Sequence, residues 1–102
     1  MDILFIRKLL SEGKIKWTTH SLERLGERDI SILDVKRCIM SGEIIEEYPF
    51  AFPCPSCLIF GYCLNRKELH VVVGSDNESV YIITAYYPDT SKFEGDLKTR
   101  RK

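Results

Sequence analysis

Cys57-Leu58-Ile59-Phe60-Gly61-Tyr62-Cys63-Leu64, then Asn65-Arg66-Lys67-Glu68, then Leu69-His70-Val71-Val72-Val73-Gly74 is the stretch on which the fold turns. Two apolar runs rich in β-branched and aromatic residues flank four polar ones. They read as two strands, and so short a connection pairs them antiparallel. The pattern continues through a second polar turn, Ser75-Asp76-Asn77-Glu78, into a strand from Ser79 to Tyr87 that Pro88 ends. Before the stretch, Pro49, Pro53 and Pro55 forbid regular structure and make a stiff loop. Glu43 to Tyr48, ahead of that loop, reads as a first strand with a mixed face. The segment from Gly42 to Tyr87 is thus expected to form a sheet of roughly four antiparallel strands.

Upstream of Gly42 the apolar period is helical. Ile3, Ile6, Leu9 and Leu10 share one face of a helix over residues 2–12, with Asp2 as N-cap and Gly13 as its stop. Lys14-Ile15-Lys16-Trp17 is too short for more than a connecting extended segment. A second helix starts at Thr18 or Thr19 and runs to about Arg28, turning Leu22 and Leu25 inward. Ser31 caps a third, with Asp34 at its N3 position and Ile32, Val35 and Ile39 as its buried stripe, and Ser41-Gly42 ends it. Downstream, Thr90 or Ser91 is read as the cap of a short C-terminal helix that runs out in Lys98-Thr99-Arg100-Arg101-Lys102. The expected fold is α+β, a single domain over residues 1–102 with helices on one face of the sheet. The other face is where a site is sought.

The 102 residues suffice for one core, expected to bury roughly 65% of the unfolded surface without disulfide or metal staples. A hydrophobic fraction of 44% with 29% charged residues is ordinary globular composition and excludes disordered and low-complexity classes. Fifteen basic against fifteen acidic residues argues against a histone-like coat for nucleic acid. No apolar run approaches the ~20 residues of a membrane-spanning helix. The first eight residues place an acid before the apolar run and the basic pair after it, the reverse of a signal peptide, so a soluble cytoplasmic protein is expected. Cys38, Cys54, Cys57 and Cys63 are then reduced thiols. Cys54-Pro55-Ser56-Cys57 leads into a strand rather than a helix, and neither Cys38 and Cys63 nor His70 supplies a second ligand pair, so neither metal nor cofactor is expected.

His20, Arg24 and Arg28 stand at i, i+4 and i+8 on the second helix, where each step advances about 400° and the row drifts only about 40° per step. Two arginines suit bidentate phosphate contact, and a histidine beside them can carry a proton near neutral pH. The same row also fits a solvated face with Glu23 and Glu27 as ion-pair neighbours. Strand alternation puts His70 with Val72, opposite Leu69, Val71 and Val73, and so toward the less buried side, as a site residue or as a structural histidine at a sheet edge. By the same rule Tyr81 and Tyr87 share a face, opposite Thr84 and Tyr86, and serve base stacking or packing. Four of the five residues from Lys98 to Lys102 are cations, a phosphate grip through Lys98, Arg100 and Arg101 or a solubilising end. Glu43, Glu46 and Glu47 gather acid elsewhere, so the zero net charge reads as a sum over separate patches. There is no P-loop, dinucleotide fingerprint, His-Glu-x-x-His or Gly-x-Ser-x-Gly element. Cleavage of RNA by its own 2′-hydroxyl, which needs only a base, an acid and cations, stays open.

Taken in order, Trp17-Thr18-Thr19-His20-Ser21-Leu22-Glu23-Arg24, Glu27-Arg28-Asp29-Ile30, Gly42-Glu43-Ile44-Ile45-Glu46, Pro55-Ser56-Cys57-Leu58-Ile59-Phe60-Gly61, Leu69-His70-Val71-Val72-Val73, Ile83-Thr84-Ala85-Tyr86-Tyr87-Pro88-Asp89 and Asp96-Leu97-Lys98-Thr99-Arg100-Arg101 resemble the domain-of-unknown-function 4258 family, from about residue 14 onward. That family looks related to the RelE/ParE-like toxins. The resemblance implies a RelE-like fold and the toxin of a prokaryotic type II toxin–antitoxin pair, a metal-independent ribonuclease acting on messenger RNA. Its implied partner is a cognate antitoxin with a zinc finger or DNA-binding module. The alternative, resting on the lack of a decisive catalytic constellation and on two histidines that also fit structural roles, is a non-catalytic protein-binding module, a ParE-like inhibitor or an inactive antitoxin partner. The positions it carries over are His20, Arg24, Arg28, His70, Tyr87 and Asp89. Phe93 stands where the family usually shows tryptophan, and Cys54 adds a cysteine to a segment that commonly has only Cys57.

Overall fold

Each helix is started by the side chain that sequence assigns to it. The computed structural model describes residues 1–102. Asp2 accepts a hydrogen bond from the Leu4 amide at 2.9 Å and opens α1, Ile3–Ser11. Thr18 and Ser31 form reciprocal capping boxes with Ser21 and Asp34 at the starts of α2, Thr19–Glu27, and α3, Ile32–Ser41. Gly13, at φ +75°, supplies the left-handed turn after α1. Arg7 ties α1 to the end of α3, its guanidinium donating to the carbonyls of Ile39 at 2.9 Å and Gly42 at 2.7 Å. These are carbonyls a helix end otherwise leaves without partners.

The sheet has five strands rather than four: β1 Ile15–Lys16, β2 Glu43–Tyr48, β3 Ser56–Tyr62, β4 Glu68–Ser75 and β5 Val80–Tyr86, in the order β1-β5-β4-β3-β2. The extra strand is the segment expected only to connect. It pairs parallel with β5, Ile15 opposite Val80 and Lys16 opposite Tyr81, so the sheet is mixed. Two residues are too few for a periodic signal, which is why the pattern did not reveal it. β2 to β5 pair antiparallel as expected.

The helices cover one face. Ile6, Leu9, Leu10, Leu25, Ile30, Val35 and Ile39 meet Ile59, Leu69, Val71, Val73, Val80, Ile82 and Ala85 in one buried cluster. Packing is close enough that a Cβ on Gly61 of β3 would stand 2.7 Å from the Cys38 carbonyl of α3. Leu22 and Ile32, expected inward, are 42% and 43% exposed: each lies to the side of its helix's buried stripe.

Two β-bulges set the other face. The register passes from Val72–Thr84 to Val73–Ile82, leaving Ile83 of β5 unpaired, and from Ile44–Ile59 to Glu46–Leu58, leaving Ile45 of β2 unpaired. Each extra residue reverses the alternation. Tyr81 and Tyr87, expected on one face, are therefore on opposite faces. Tyr87 packs against the helix-side cluster, while Tyr81, Thr84 and Tyr86 face away from it. In the same way Glu43 and Glu46, three positions apart, both look to the second face.

No helix follows β5, contrary to expectation. Residues 88–101 form turns and one bridge, Phe93 with Arg100, and fold back over the second face. Asp89 and Asp96 explain the choice. Their carboxylates accept from the amides of Ser91, and of Lys98 and Thr99, local bonds that compete with helix propagation.

Candidate functional site

His70 is not at an edge. It sits on the central strand β4, fully buried on the second face beneath the C-terminal segment. Its Nε2 lies 2.7 Å from the Leu97 carbonyl, which only accepts, so Nε2 carries the proton. Nδ1 is then the acceptor for the Tyr86 hydroxyl at 3.2 Å. Phe93 packs edge-on against the imidazole, with ring centroids 4.6 Å apart. Burial holds the imidazole pKa below its usual value.

The basic C-terminus is engaged as well. Arg100 donates two bonds of 3.0 Å to the Glu46 carboxylate and lies over the Phe93 ring, Lys98 pairs with Glu43 at 3.3 Å, and Arg101 with Glu94 at 3.1 Å. The Met1 amino group pairs with Glu47. The separate acidic and basic patches expected along the chain are thus one neutralised seam along β2. Arg100 and the Tyr48 hydroxyl hold the Glu46 carboxyl below the usual range, Arg100 more than Tyr48, while burial and Glu46 push the Tyr48 phenol up to about 12.

On α2 the row exists as drawn, with His20 and Arg24 exposed along it. None of the three is ion-paired to Glu23 or Glu27. Arg28, at the helix end, turns in and donates to the Ala85 carbonyl at 2.7 Å and the Thr84 hydroxyl at 3.1 Å. Both acceptors are neutral, so its charge is not cancelled.

Beyond the end of β5 a cleft of about 460 Å³ opens between α2 and the C-terminal segment. Arg28, Tyr86, Tyr87, Asp89, Lys92 and Arg100 line it. It brings together Arg28, Tyr87, Asp89 and Arg100 of the residues singled out by sequence, but not His20, Arg24, Lys98 or Arg101. His70 stands behind its wall, joined through Tyr86. Lys92 carries no sequence signal of its own, because on a helix capped by Thr90 or Ser91 it has no special place. Ser91 holds the Asp89 carboxyl below the usual range, chiefly through its hydroxyl, and burial raises the phenols of Tyr86 and Tyr87. Neither Arg28 nor Lys92 forms a salt bridge, and the cleft presents these two cations beside two phenols and one carboxylate, Asp89, whose charge Lys92 favours. That combination is suited to an anion.

No three His, Cys, Asp or Glu side chains gather as metal ligands. The four cysteines are free thiols, with burial pushing Cys38 up to about 12 and Cys57 up to about 11. No helix is long and apolar enough to cross a membrane. At the other end of the sheet, Pro53, Cys54, Ser56, Asp76, Tyr81 and Ile83 line a second, mostly apolar pocket of about 370 Å³, which holds Cys54 and Tyr81 of the residues singled out by sequence but none of the histidines or basic residues.

No curated protein and no solved structure matches the chain. Residues 17–87, which run from the residue before the α2 cap to the cleft tyrosine Tyr87, match the family model described as a domain of unknown function, DUF4258. The chain belongs to the DUF4258 family.

Proposed function

We propose that this protein is a RelE-like, toxin-type member of a prokaryotic toxin–antitoxin pair, acting in the cytoplasm, and that the cleft beyond β5 takes an RNA phosphodiester for metal-independent cleavage. The observation that carries the reading is the meeting of Arg28 and Lys92, two cations outside any salt bridge, with a single carboxylate, Asp89, in one cleft beside Tyr86 and Tyr87. In such a cleft the cations neutralise the charge that builds on the phosphoryl oxygens. The 2′-hydroxyl attacks phosphorus as the bond from phosphorus to the 5′-oxygen breaks, leaving a 2′,3′-cyclic phosphate and a 5′-hydroxyl. Asp89 takes the proton of the 2′-hydroxyl, and a tyrosine hydroxyl returns one to the leaving oxygen. His20 and Arg24, exposed along α2, extend the phosphate-reading face. The cognate antitoxin silences the protein by covering the cleft.

Purified protein incubated with end-labelled RNA and with ribosome-bound message in the presence of EDTA is expected to yield fragments with cyclic phosphate ends. Asp89→Asn and Lys92→Ala are each expected to slow cutting about 100-fold. RNA left intact under both conditions would overturn the assignment. A second reading, a binding module without chemistry, is favoured by one observation: neither histidine lines the cleft, and Asp89, its one carboxylate, is held in a weakly basic state. Growth arrest on expression without RNA fragments selects it.

A further inference from the structure

We propose that Arg37 and Arg66 form a second phosphate subsite, and that with Lys67 they extend the cleft into a track for single-stranded RNA. The inference rests on the reading of the cleft given above. Arg37, Ser41, Tyr62, Cys63 and Arg66 line a shallow depression of about 350 Å³ where α3 ends and β3 turns into β4. Both arginines are exposed, and neither is among the ion-paired cations. Asp34, one helical turn before Arg37, has its carboxylate occupied by the amides of Ser31 and Leu64, at 3.0 Å each.

The register brings the two sites to one rim. Phe60 opposite Glu43, Tyr62 opposite Glu68 and His70 opposite Tyr86 place the start of β2, the β3–β4 turn and the end of β5 at the same end of the sheet. Lys67 links them. Its carbonyl accepts from the amide of Cys63, which lines the depression, at 2.8 Å, and its ammonium lies 5.5 Å from the centre of the Tyr87 ring, which lines the cleft. Along this rim Lys92 and Arg28, then Tyr87 with Lys67, then Arg66 and Arg37 beside Tyr62 interleave cations with phenol rings. A row of cations alone would suit any polyanion. Aromatic rings set between them suit a strand whose phosphates and bases are both accessible.

The test is equilibrium binding of a labelled RNA octanucleotide and a dinucleotide to the full chain, each over a salt series. Arg37→Gln/Arg66→Gln is expected to weaken the octanucleotide about tenfold and to lower the slope of log affinity against log salt by about 1.4. The dinucleotide, which fills one subsite, is expected to lose less. Lys14→Gln/Lys16→Gln removes the same charge from the opposite end of the sheet, beside the start of β5, and is expected to leave both affinities near wild type. An unshifted thermal midpoint establishes that the double variant folds, and Arg37→Gln alone, expected to give about half the loss on a logarithmic scale, provides a second measurement. If octanucleotide affinity falls in Lys92→Ala but not in the arginine double variant, the track is overturned and the cleft stands. If it falls in the double variant but not in Lys92→Ala, the rim stands and the cleft reading fails. No RNA affinity in the wild type overturns both, and tighter binding of polyglutamate than of the octanucleotide overturns the track.

Discussion

The two faces of the sheet are both buried, but by different means. On the helix side, Ile59, Val71 and Val73 belong to one apolar cluster with aliphatic side chains from three helices, and the charged groups that join it, Arg7 and Arg28, bond neutral acceptors at its margin rather than carboxylates. On the other side Leu58 and Phe60 are equally shielded, yet their cover is an irregular segment fixed by Phe93, by the His70–Leu97 hydrogen bond and by the ion pairs of Arg100 and Lys98. One face rests chiefly on area. The other rests on area plus polar contacts that pH and salt can weaken, and the cleft opens at the margin of that second cover.

Substitutions can sharpen the contrast. Phe93→Ala, which empties a site 1% exposed, is expected to cost about 3–5 kcal/mol, read as a fall in the urea midpoint at constant slope. A loss below about 1 kcal/mol would show the C-terminal segment to be an ornament rather than half of the core. Ile59→Ala on the helix side is expected to cost about 2–5 kcal/mol, with no dependence of that cost on salt. A smaller effect follows from His70. Burial lowers its pKa in the folded protein, so below the ordinary value of 6.5 the unfolded chain takes up the proton first. Stability contributed by the neutral ring is full above pH 6.5 and is lost as pH falls through the folded pKa, with a slope of at most about 1.4 kcal/mol per pH unit. His70→Gln is expected to flatten the curve in that window, and an unchanged curve would detach the histidine from the cover. Smallest of all, Arg100→Gln removes an exposed pair and is expected to cost less than about 1 kcal/mol, a cost that shrinks as salt rises.

The helix-covered half of the molecule was legible in sequence because its signals are local. Asp2, Thr18 and Ser31 cap where expected, and β2 begins and ends at the expected residues. What escaped depends on residues far apart. β1 exists because β5 is there to pair with it. The bulges at Ile45 and Ile83 leave no mark in composition, yet they decide which tyrosines and glutamates share a face. The C-terminal segment fails to be a helix because Asp89 and Asp96 bond their own neighbours, and this choice buries His70 and aims Lys92 at the cleft. Of the site, Arg28, Tyr87 and Arg100 were legible as residue types, whereas their meeting off the end of β5 was not.

The unpaired Ile83 acts as a phase shifter within β5. Ahead of it Val80 and Ile82 keep even positions in the core, and beyond it Ala85 and Tyr87 keep odd ones. Within this strand a change of length therefore matters more than a change of residue. Adding or removing one residue elsewhere in β5 would compel one half to turn inside out, either casting Ala85 and Tyr87 out of the helix-side core or driving Tyr86 into it, whereas deleting Ile83 itself would close the bulge and leave Val80, Ile82, Ala85 and Tyr87 on the helix side. A substitution at the same position, 45% exposed, leaves that timing intact.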